Sequence, residues 1–343
     1  MITDIQQLDL EKLGAYLAEH TPEIKGIKNA KKFAGGQSNP TFLIEADSGK
    51  YVLRRQPPGK LLKSAHAVDR EYRVINALES TDVPVPKTYH LCEDPDIVGS
   101  MFYIMEFVDG DIYWDAQLKD KTNEQRTHTY DEMNKVLAAI HNVDIEKVGL
   151  GDYGRPGNYF ARQVAMWIKQ YRASETIKID AMEDLISWIE QNVPEDDGRV
   201  TLVHGDYRLD NIMFNKSDLQ AITVLDWELS TIGHPFADLA YQCTMLRLPQ
   251  KSPVPGLQGI DRAALGIPSE EAYIAAYCAH MGIEKIAHWA FYLAFSFFRL
   301  AAIAQGVAKR ALDGNASSKQ ANKVGAFVAP LAMAAMHVIK TES

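Results

Sequence analysis

The sequence predicts a two-lobed α+β protein, in which a small lobe carries an antiparallel β-sheet and a larger lobe is mostly helical. Short runs of alternating apolar and polar residues lie between turn signals at residues 25–107. Helical spacing dominates from about residue 115 onward. One strand-rich interruption falls at residues 200–227. We therefore predict lobes at residues 1–107 and 108–343, joined by a hinge near Glu106.

The first lobe is predicted to contain about five antiparallel strands and one inserted helix. A helix with its leucines on one face precedes them. Residues 33–57 follow as strand, glycine turn, strand, tight turn and strand, and residues 64–80 have the 3.6-residue spacing of a helix. Residues 83–94 and 100–110 complete the sheet. The second of these runs is continuously apolar, which predicts a buried strand.

The second lobe is predicted to be helical except at residues 200–228, where a short strand, a polar loop and a hairpin-like pair of strands are expected. Its most apolar stretch runs from Trp289 to Ala304. Ser296 and Arg299 interrupt this stretch, and it is too short to span a bilayer comfortably. We expect a helix that is buried in the protein.

Composition excludes several classes of function. The 343 residues carry 36 basic and 45 acidic side chains, and the net charge of −9 argues against a protein that binds a nucleic-acid backbone. The three cysteines form no C-x-x-C pair, so neither a disulfide framework nor a structural zinc site is indicated. Acidic residues stand where a signal peptide needs basic ones. We expect a cytoplasmic protein with no nucleic-acid or membrane partner.

The most informative stretch is HGDYRLDN, which ends at Asn211 and is followed fifteen residues later by Asp226 in VLDWE. Two loop residues and a residue at a strand end can bring three oxygen-bearing groups into one small volume. Mg²⁺ prefers such oxygen ligands together with phosphate, so Asn211 and Asp226 are candidate metal ligands. Asp206 then remains to accept a proton from a hydroxyl. Taken singly, a loop Asp or Asn is more often a turn or cap residue.

These motifs resemble a known family. H-G-D-x-x-x-x-N, the later D-W-E and G-H-P-x-x-D-L-A are similar to the aminoglycoside phosphotransferase-like kinases, which phosphorylate small molecules and share the protein-kinase fold. The resemblance covers residues 30–300. It implies that Asp206 is the catalytic base, that Asn211 and Asp226 hold Mg²⁺, and that ATP is the phosphoryl donor. Glu228 is expected either to reach the metal through water or to serve a structural role.

The same resemblance assigns nucleotide contacts in the first lobe. The glycine turn between the first two strands would meet the phosphates through Gly36, Ser38 and Asn39. A cation on the third strand, paired with a glutamate on the next helix, should bind the nucleotide phosphates. Strand alternation directs one of two neighbouring arginines inward and the other to solvent, and the family pattern favours Arg54 over Arg55. The expected helix partner is Glu71, and backbone groups of Glu106 and Val108 would meet the purine.

The acceptor is predicted from a narrower resemblance and from charge. The runs LRRQPPGKLLKSAHAVDREYRVINAL and DYGRPGNYFARQVAMWIKQYRASET are similar to the kinase-like module that precedes the dehydrogenase domain in certain acyl-CoA dehydrogenases. That module is implicated in phosphorylating hydroxyacyl-CoA, and this chain would be a stand-alone relative. Residues 241–343 carry ten basic and six acidic side chains. An anionic acceptor is therefore favoured, with Arg155 and Arg162 as candidate contacts.

The sequence thus predicts an ATP- and Mg²⁺-dependent kinase that phosphorylates a hydroxyl of a small molecule, either a hydroxyacyl-CoA or a hydroxy acid. Two alternatives stay open. One is a catalytically silent nucleotide-binding or scaffold protein on the same fold. The other is an aminoglycoside-modifying kinase, which shares the mechanism and differs in its acceptor.

Overall fold

The structure is a computed structural model that describes residues 8–33, 39–57, 66–252, 254–313 and 324–342. Its contacts divide the chain into two compact units. The first unit comprises Met1–Asp111, Lys147–Leu150 and Asn211–Ser230, and the second comprises the remaining segments. The first unit therefore extends four residues beyond the predicted boundary at 107. It also contains residues 211–230, which were predicted to belong to the second lobe.

The described part of the first unit contains a five-stranded antiparallel sheet of order β1-β2-β3-β5-β4. Its strands are β1 (Ile27–Lys32), β2 (Thr41–Ala46), β3 (Gly49–Arg55), β4 (Thr88–Cys92) and β5 (Phe102–Glu106). The predicted tight turn joins β2 to β3, since Ala46 pairs with Gly49 across it. The five-stranded antiparallel sheet confirms the sequence prediction, but β1 ends at Lys32, before the first strand that was predicted from residue 33.

Helices cover this sheet through their apolar faces. They are α1 (Leu10–His20), α2 (Val68–Leu78) and the short α3 (Pro95–Val98). The Asp9 carboxylate caps α1 by accepting a hydrogen bond from the Lys12 N–H. Leu13 and Leu17 of α1 are fully buried in one cluster with sheet residues, and each contributes about 1.5–3 kcal/mol by leaving water.

A second strand pair, β8 (Ile212–Phe214) and β9 (Ala221–Val224), forms the predicted hairpin. The Val224 N–H donates to the Pro84 carbonyl at 2.9 Å, and the 3₁₀ turn Trp227–Leu229 packs against α2. These contacts are the physical reason that residues 211–230 group with the first unit. The sequence prediction had placed them in the helical lobe because chain order alone gives no such contact.

The second unit is mostly helical. Its helices are α4 (Asn123–His141), α5 (Tyr159–Ser174), α6 (Asp180–Gln191), α7 (Phe236–Arg247), α8 (Glu270–Met281), α9 (Trp289–Leu312) and α10 (Val328–Glu342). Strand β7 (Thr201–Val203) pairs with β10 (Thr231–Gly233), and the two-residue β6 (Asp111–Ile112) lies at the division of the units. A reciprocal capping box between Thr122 and Gln125 starts α4.

Helix α9 is long and apolar enough to cross a membrane by length and composition, with a mean hydropathy of 1.4 over its most apolar window. However, 72% of that window is buried inside the protein, where α9 packs against α5, α6, α7 and α10. The predicted buried helix is therefore present, and it continues to Leu312.

Candidate active site

In the first unit, Arg54 of β3 is the centre of a charged cluster. Its Nε donates to Glu71 Oε2 at 2.7 Å, and its second terminal nitrogen donates to Asp226 Oδ1 at 2.7 Å. Glu228 Oε2 lies 4.0 Å from the same nitrogen. A guanidinium presents several donors in one plane, so Arg54 can hold a helix carboxylate and a loop carboxylate at once.

Burial and charge act on this cluster in opposite directions. Burial disfavours the charge on Arg54, but the carboxylates of Glu71 and Asp226 outweigh it and raise the pKa of the guanidinium. Burial raises the pKa of Glu71 to about 7, although Arg54 beside it acts to lower that pKa. Arg54 therefore stays charged, and Glu71 changes protonation near neutral pH.

The neighbouring Arg55 has a different environment from the predicted one. Alternation does direct it to the opposite face of β3, but that face is not solvent: Arg55 is only 3% exposed. It donates to the Val98 carbonyl, and its guanidinium lies 5.3 Å from the centre of the Phe42 ring. The expectation of a solvated arginine was wrong because α3 and its following loop cover this face. Arg54 is thus the arginine paired with Glu71.

The two predicted metal ligands lie at the same end of the β8–β9 hairpin. Asn211 directly precedes β8, and the Leu225 N–H donates to the Asn211 carbonyl at 2.8 Å, which places Asp226 one residue further on. Asp226 adopts a φ of +62°, a left-handed conformation that costs a non-glycine residue about 1–3 kcal/mol and is common at functional sites.

The donor set fits Mg²⁺. Asn211 and Asp226 offer an amide oxygen and a carboxylate, and Mg²⁺ commonly takes one or two protein oxygens and completes its octahedron with water and phosphate. Glu71, Asp226 and Glu228 all approach the single cation Arg54, so negative charge is in excess there. A divalent cation at Asp226 would balance that excess. Within the described ranges, no group of three or more His, Cys, Asp or Glu side chains could share a metal ion.

The remaining nucleotide predictions have mixed outcomes. Gly36 and Ser38 lie outside the described residues. Asn39 is buried at the start of the segment leading into β2, and its Oδ1 lies 3.1 Å from the Nδ1 of His66. Glu106 ends β5, and its N–H already donates to the Lys87 carbonyl at 2.8 Å. Val108 is half-buried in the segment after β5. Contact of these residues with a nucleotide stays a prediction.

In the second unit, Asp206 is held by a tyrosine of α7. The Tyr241 hydroxyl donates to Asp206 Oδ1 at 2.5 Å, and Arg208 Nε lies 3.9 Å from Asp206 Oδ2. Arg208 also pairs with Asp210. Burial and the neighbouring Asp206 carboxylate both raise the pKa of Tyr241, so this hydroxyl remains a donor at ordinary pH. One carboxylate oxygen of Asp206 is thereby fixed in direction.

A buried network supports the loop around Asp206. The Asp238 carboxylate accepts from the His204 and Gly205 N–H groups at 2.6 and 2.8 Å, and it lies 3.3 Å from His141 Nε2. His141 Nδ1 in turn lies 2.6 Å from the Tyr277 hydroxyl. Burial opposes the charge on Asp238, but the hydrogen bond and charge of His141, together with His204 and the Gly205 N–H, outweigh burial and lower the Asp238 pKa. Asp238 therefore braces this loop, and His141 is a buried histidine of the core.

Two residues that hold the catalytic loop were not predicted. Besides Tyr241, Arg299 of α9 donates to the Gly205 carbonyl at 2.7 Å. Its guanidinium lies 5.6 Å from the Trp167 ring and 5.2 Å from the Tyr241 ring. The signal was present, because Arg299 interrupts the most apolar stretch of the sequence, and a charge inside a buried helix needs a partner.

The two predicted acceptor residues differ in their contacts. Arg162 on α5 donates to the carbonyls of Arg155 and Pro156, so it ties down the loop that precedes its own helix. Arg155 itself is exposed on that loop. The structure therefore gives Arg162 a structural contact and leaves the acceptor role of both residues a prediction.

Comparisons with known proteins agree with this arrangement of fold and side chains, which is that of a phosphotransferase with a protein-kinase-like fold. The phosphotransferase enzyme family (APH) matches residues 29–283, a range that includes Arg54, Asp206 and Asp226. The chain belongs to this family.

Solved structures show the fold at two levels of similarity. A protein from Ralstonia eutropha JMP134, provisionally named an aminoglycoside phosphotransferase, is 46% identical, with a TM-score of 0.90 over 97% of this chain and 99% of that one. Choline kinase from Cryptosporidium parvum is 14% identical, with a TM-score of 0.64 over 97% of this chain and 96% of its own, which is a likeness of fold alone.

Curated relatives carry a different name. Acyl-CoA dehydrogenase family member 10 of Mus musculus is 47% identical over 330 residues, which are 96% of this chain and 30% of that protein. The chain spans 30–44% of the length of the curated relatives that it matches at 39% identity or more. It therefore resembles the kinase-like module of these proteins.

Proposed function

We propose that this chain is an ATP- and Mg²⁺-dependent kinase that transfers the γ-phosphoryl group to a hydroxyl of a hydroxyacyl-CoA or a hydroxy acid. The observation that carries the proposal is the sharing of Arg54 between Glu71 and Asp226, at 2.7 Å each. This pairing presents a fixed cation and a carboxylate side by side, which are the two groups that a metal-bound triphosphate needs.

At the nucleotide end, Arg54 supplies a permanent positive charge for the phosphates, and Glu71 fixes its direction. Asn211 and Asp226 would hold Mg²⁺, which supplies neutralisation of the charge that develops on the β- and γ-phosphates. The hydrogen bond from Arg54 fixes the direction of the Asp226 carboxylate, which stands on a left-handed backbone. These groups need no rearrangement during the reaction, which is how fixed charges lower a barrier.

At the acceptor end, Asp206 accepts the hydroxyl proton as the hydroxyl oxygen bonds to the γ-phosphorus. The bond between that phosphorus and the bridging oxygen breaks, and ADP leaves with the electron pair. Tyr241 donates to Oδ1 of Asp206 and so fixes the direction of the carboxylate that would accept the proton. An Asp206 carboxylate that is held in a fixed direction by Tyr241 favours a working enzyme over a silent scaffold protein.

Two observations support the acyl acceptor. Curated relatives that are 47% and 41% identical to this chain are named acyl-CoA dehydrogenase family members. Residues 241–343 of the second unit also carry an excess of four basic side chains, which suits an anionic acceptor better than a polycationic aminoglycoside. Exposed Arg155 is the first candidate for a contact with the anionic group.

A panel of acceptors tests this proposal. The purified chain is incubated with ATP and Mg²⁺ and with hydroxyacyl-CoAs, the matching free hydroxy acids or kanamycin, and phosphorylated products are detected by mass spectrometry alongside ADP release. We expect product from a hydroxyacyl-CoA or hydroxy acid and little from kanamycin. Efficient phosphorylation of kanamycin alone would replace the acceptor, and absence of turnover with every hydroxyl compound would favour the silent protein.

A further inference from the structure

A large cavity in the second unit has no part in the chemistry described above. It has a volume of about 1220 Å³ and lies among the end of α7, residues 248–252 and 254–263, α9 and α10. Its wall is formed mainly by apolar side chains, among them Met245, Leu257, Phe297, Leu300, Leu331 and Val338. Pockets for small molecules commonly measure about 300–1,000 Å³, so this cavity has room for an extended ligand.

The rim of the cavity keeps apolar groups in water. Ile303 of α9 and Met333 of α10 line it, and they are 38% and 64% exposed. Exposed apolar side chains that border a cavity indicate a surface that is covered when a ligand binds. By contrast, Arg247 in the wall is held by Glu270 and Glu342 at 2.6 Å each, so its positive charge is already paired and one carboxylate charge remains in excess.

The two helices that hold the loop of the catalytic base, α7 and α9, also line the cavity. On α7, Tyr241 bonds to Asp206, and Met245, one helical turn or about 6 Å further along the axis, lines the cavity. On α9, Arg299 donates to the Gly205 carbonyl, and its neighbour Leu300 lines the cavity. A ligand with its hydroxyl at Asp206 would therefore lie beside two helices that also line the cavity.

We propose that this cavity receives the alkyl chain of the acyl acceptor, a choice that rests on the function proposed above. An alkyl chain is favoured over a charged or sugar-like ligand because the wall is apolar and Arg247 is already paired. Each buried methylene would contribute about 0.8 kcal/mol, so longer chains should bind more tightly until the cavity is full. The cavity would thus select acceptors by chain length, separately from the phosphoryl chemistry at Asp206.

The test measures chain binding without catalysis. The fluorescent fatty acid cis-parinaric acid is titrated into the full chain in the absence of nucleotide. Ala334 lines the cavity from α10, so Ala334→Trp fills it, whereas Ala329→Trp makes the same change on the same helix outside the lining. We expect binding by the parent and by Ala329→Trp, and at least tenfold weaker binding by Ala334→Trp, about the effect of two displaced methylenes.

A second measurement separates this proposal from the function on which it rests. For hydroxyacyl-CoAs of increasing chain length, kcat/KM should rise in the parent and in Ala329→Trp and should flatten in Ala334→Trp. Turnover that is indifferent to chain length and to Ala334→Trp would overturn the cavity assignment and leave the kinase intact. Parinaric acid binding that Ala334→Trp abolishes, without any acyl phosphorylation, would support the cavity and reject the acceptor.

Two further results would overturn the assignment. One is a parent chain that does not bind the fatty acid. The other is a dimer in sedimentation that Ala334→Trp dissociates, because the apolar rim would then be covered by a second copy. Equal melting temperatures of the two tryptophan variants establish that a loss of binding reflects the filled cavity rather than unfolding.

Discussion

The two units hold their charged residues in opposite ways. In the first unit, Arg54 faces Glu71, Asp226 and Glu228, and the Asp226 side chain is 38% exposed. In the second unit, Asp238 is 1% exposed, and its carboxylate is matched to two backbone N–H groups and to His141. The Arg54 cluster has negative charge in excess and is partly exposed to water. The Asp238 cluster is buried, and the hydrogen bonds of its carboxylate are made within the protein.

This difference separates ligand binding from folding. A buried carboxylate with all its partners inside the protein stabilises a loop, and its loss leaves donors unpaired. A partly exposed carboxylate beside an excess of acidic groups adds little stability, because water screens it, but it can take up a cation. Changes in the first cluster should therefore alter nucleotide binding, whereas changes in the second should alter stability.

The largest expected effect falls on Asp206, which shares the second unit with Asp238 but is 24% exposed at its side chain. Asp206→Asn keeps the shape and the bond to Tyr241 but removes the proton acceptor. We expect kcat to fall by about 10²- to 10⁴-fold, with Mg–ATP binding and melting temperature near those of the parent. Near-normal kcat with the natural acceptor would remove Asp206 from catalysis.

Asp238→Ala should act on the fold. It leaves the His204 and Gly205 N–H groups and His141 without the carboxylate that they share. We expect the free energy of unfolding in urea to fall by about 3–5 kcal/mol. Thr244→Ala, at an equally buried position of α7, is the control for loss of a polar group. A loss no greater than that of the control would contradict the bracing role.

Arg54 and Arg55, which are adjacent on β3, should show the same contrast between nucleotide binding and stability within one strand. Arg54→Met removes both charge-assisted hydrogen bonds of the cluster, and the Kd for Mg–ATP should rise about 10- to 100-fold. Arg55→Met removes a donor from the Val98 carbonyl on the other face, which should lower stability by about 1–3 kcal/mol and leave the Kd within about twofold. Calorimetric titration and urea unfolding measure the two quantities. Interchanged phenotypes would show that Arg55 is the nucleotide residue.

The smallest effect is a pH dependence at Glu71. Its pKa is raised from the ordinary 4.5 to about 7, so the folded state binds a proton that the unfolded state has lost between these values. Stability from this group is fully present below about pH 4.5 and is lost as pH rises through about 7. Glu71→Gln should flatten that part of the melting-temperature profile. A melting-temperature profile that falls more steeply with pH in Glu71→Gln than in the parent would contradict this prediction.

The sequence was sufficient where local pattern or motif decides the structure. Strand alternation predicted the five-stranded sheet, and the resemblance to the kinase family predicted the pairing of Arg54 with Glu71. It was insufficient for contacts between distant segments. The cover over Arg55 and the bond from Tyr241 to Asp206 both depend on packing between segments, about which alternation and spacing carry no information.

The Mg²⁺-dependent thermal shift with ATP tests the central claim, that the open cluster of the first unit binds the metal–nucleotide complex. At a hundredfold excess over Kd, ligand binding stabilises by about 2.7 kcal/mol, or roughly 4 °C for a chain of this size. We predict such a shift in the parent and in Asp109→Ala, an exposed carboxylate of the same unit, and its loss in Asp226→Ala. A shift in Asp226→Ala equal to that of the parent would contradict the account.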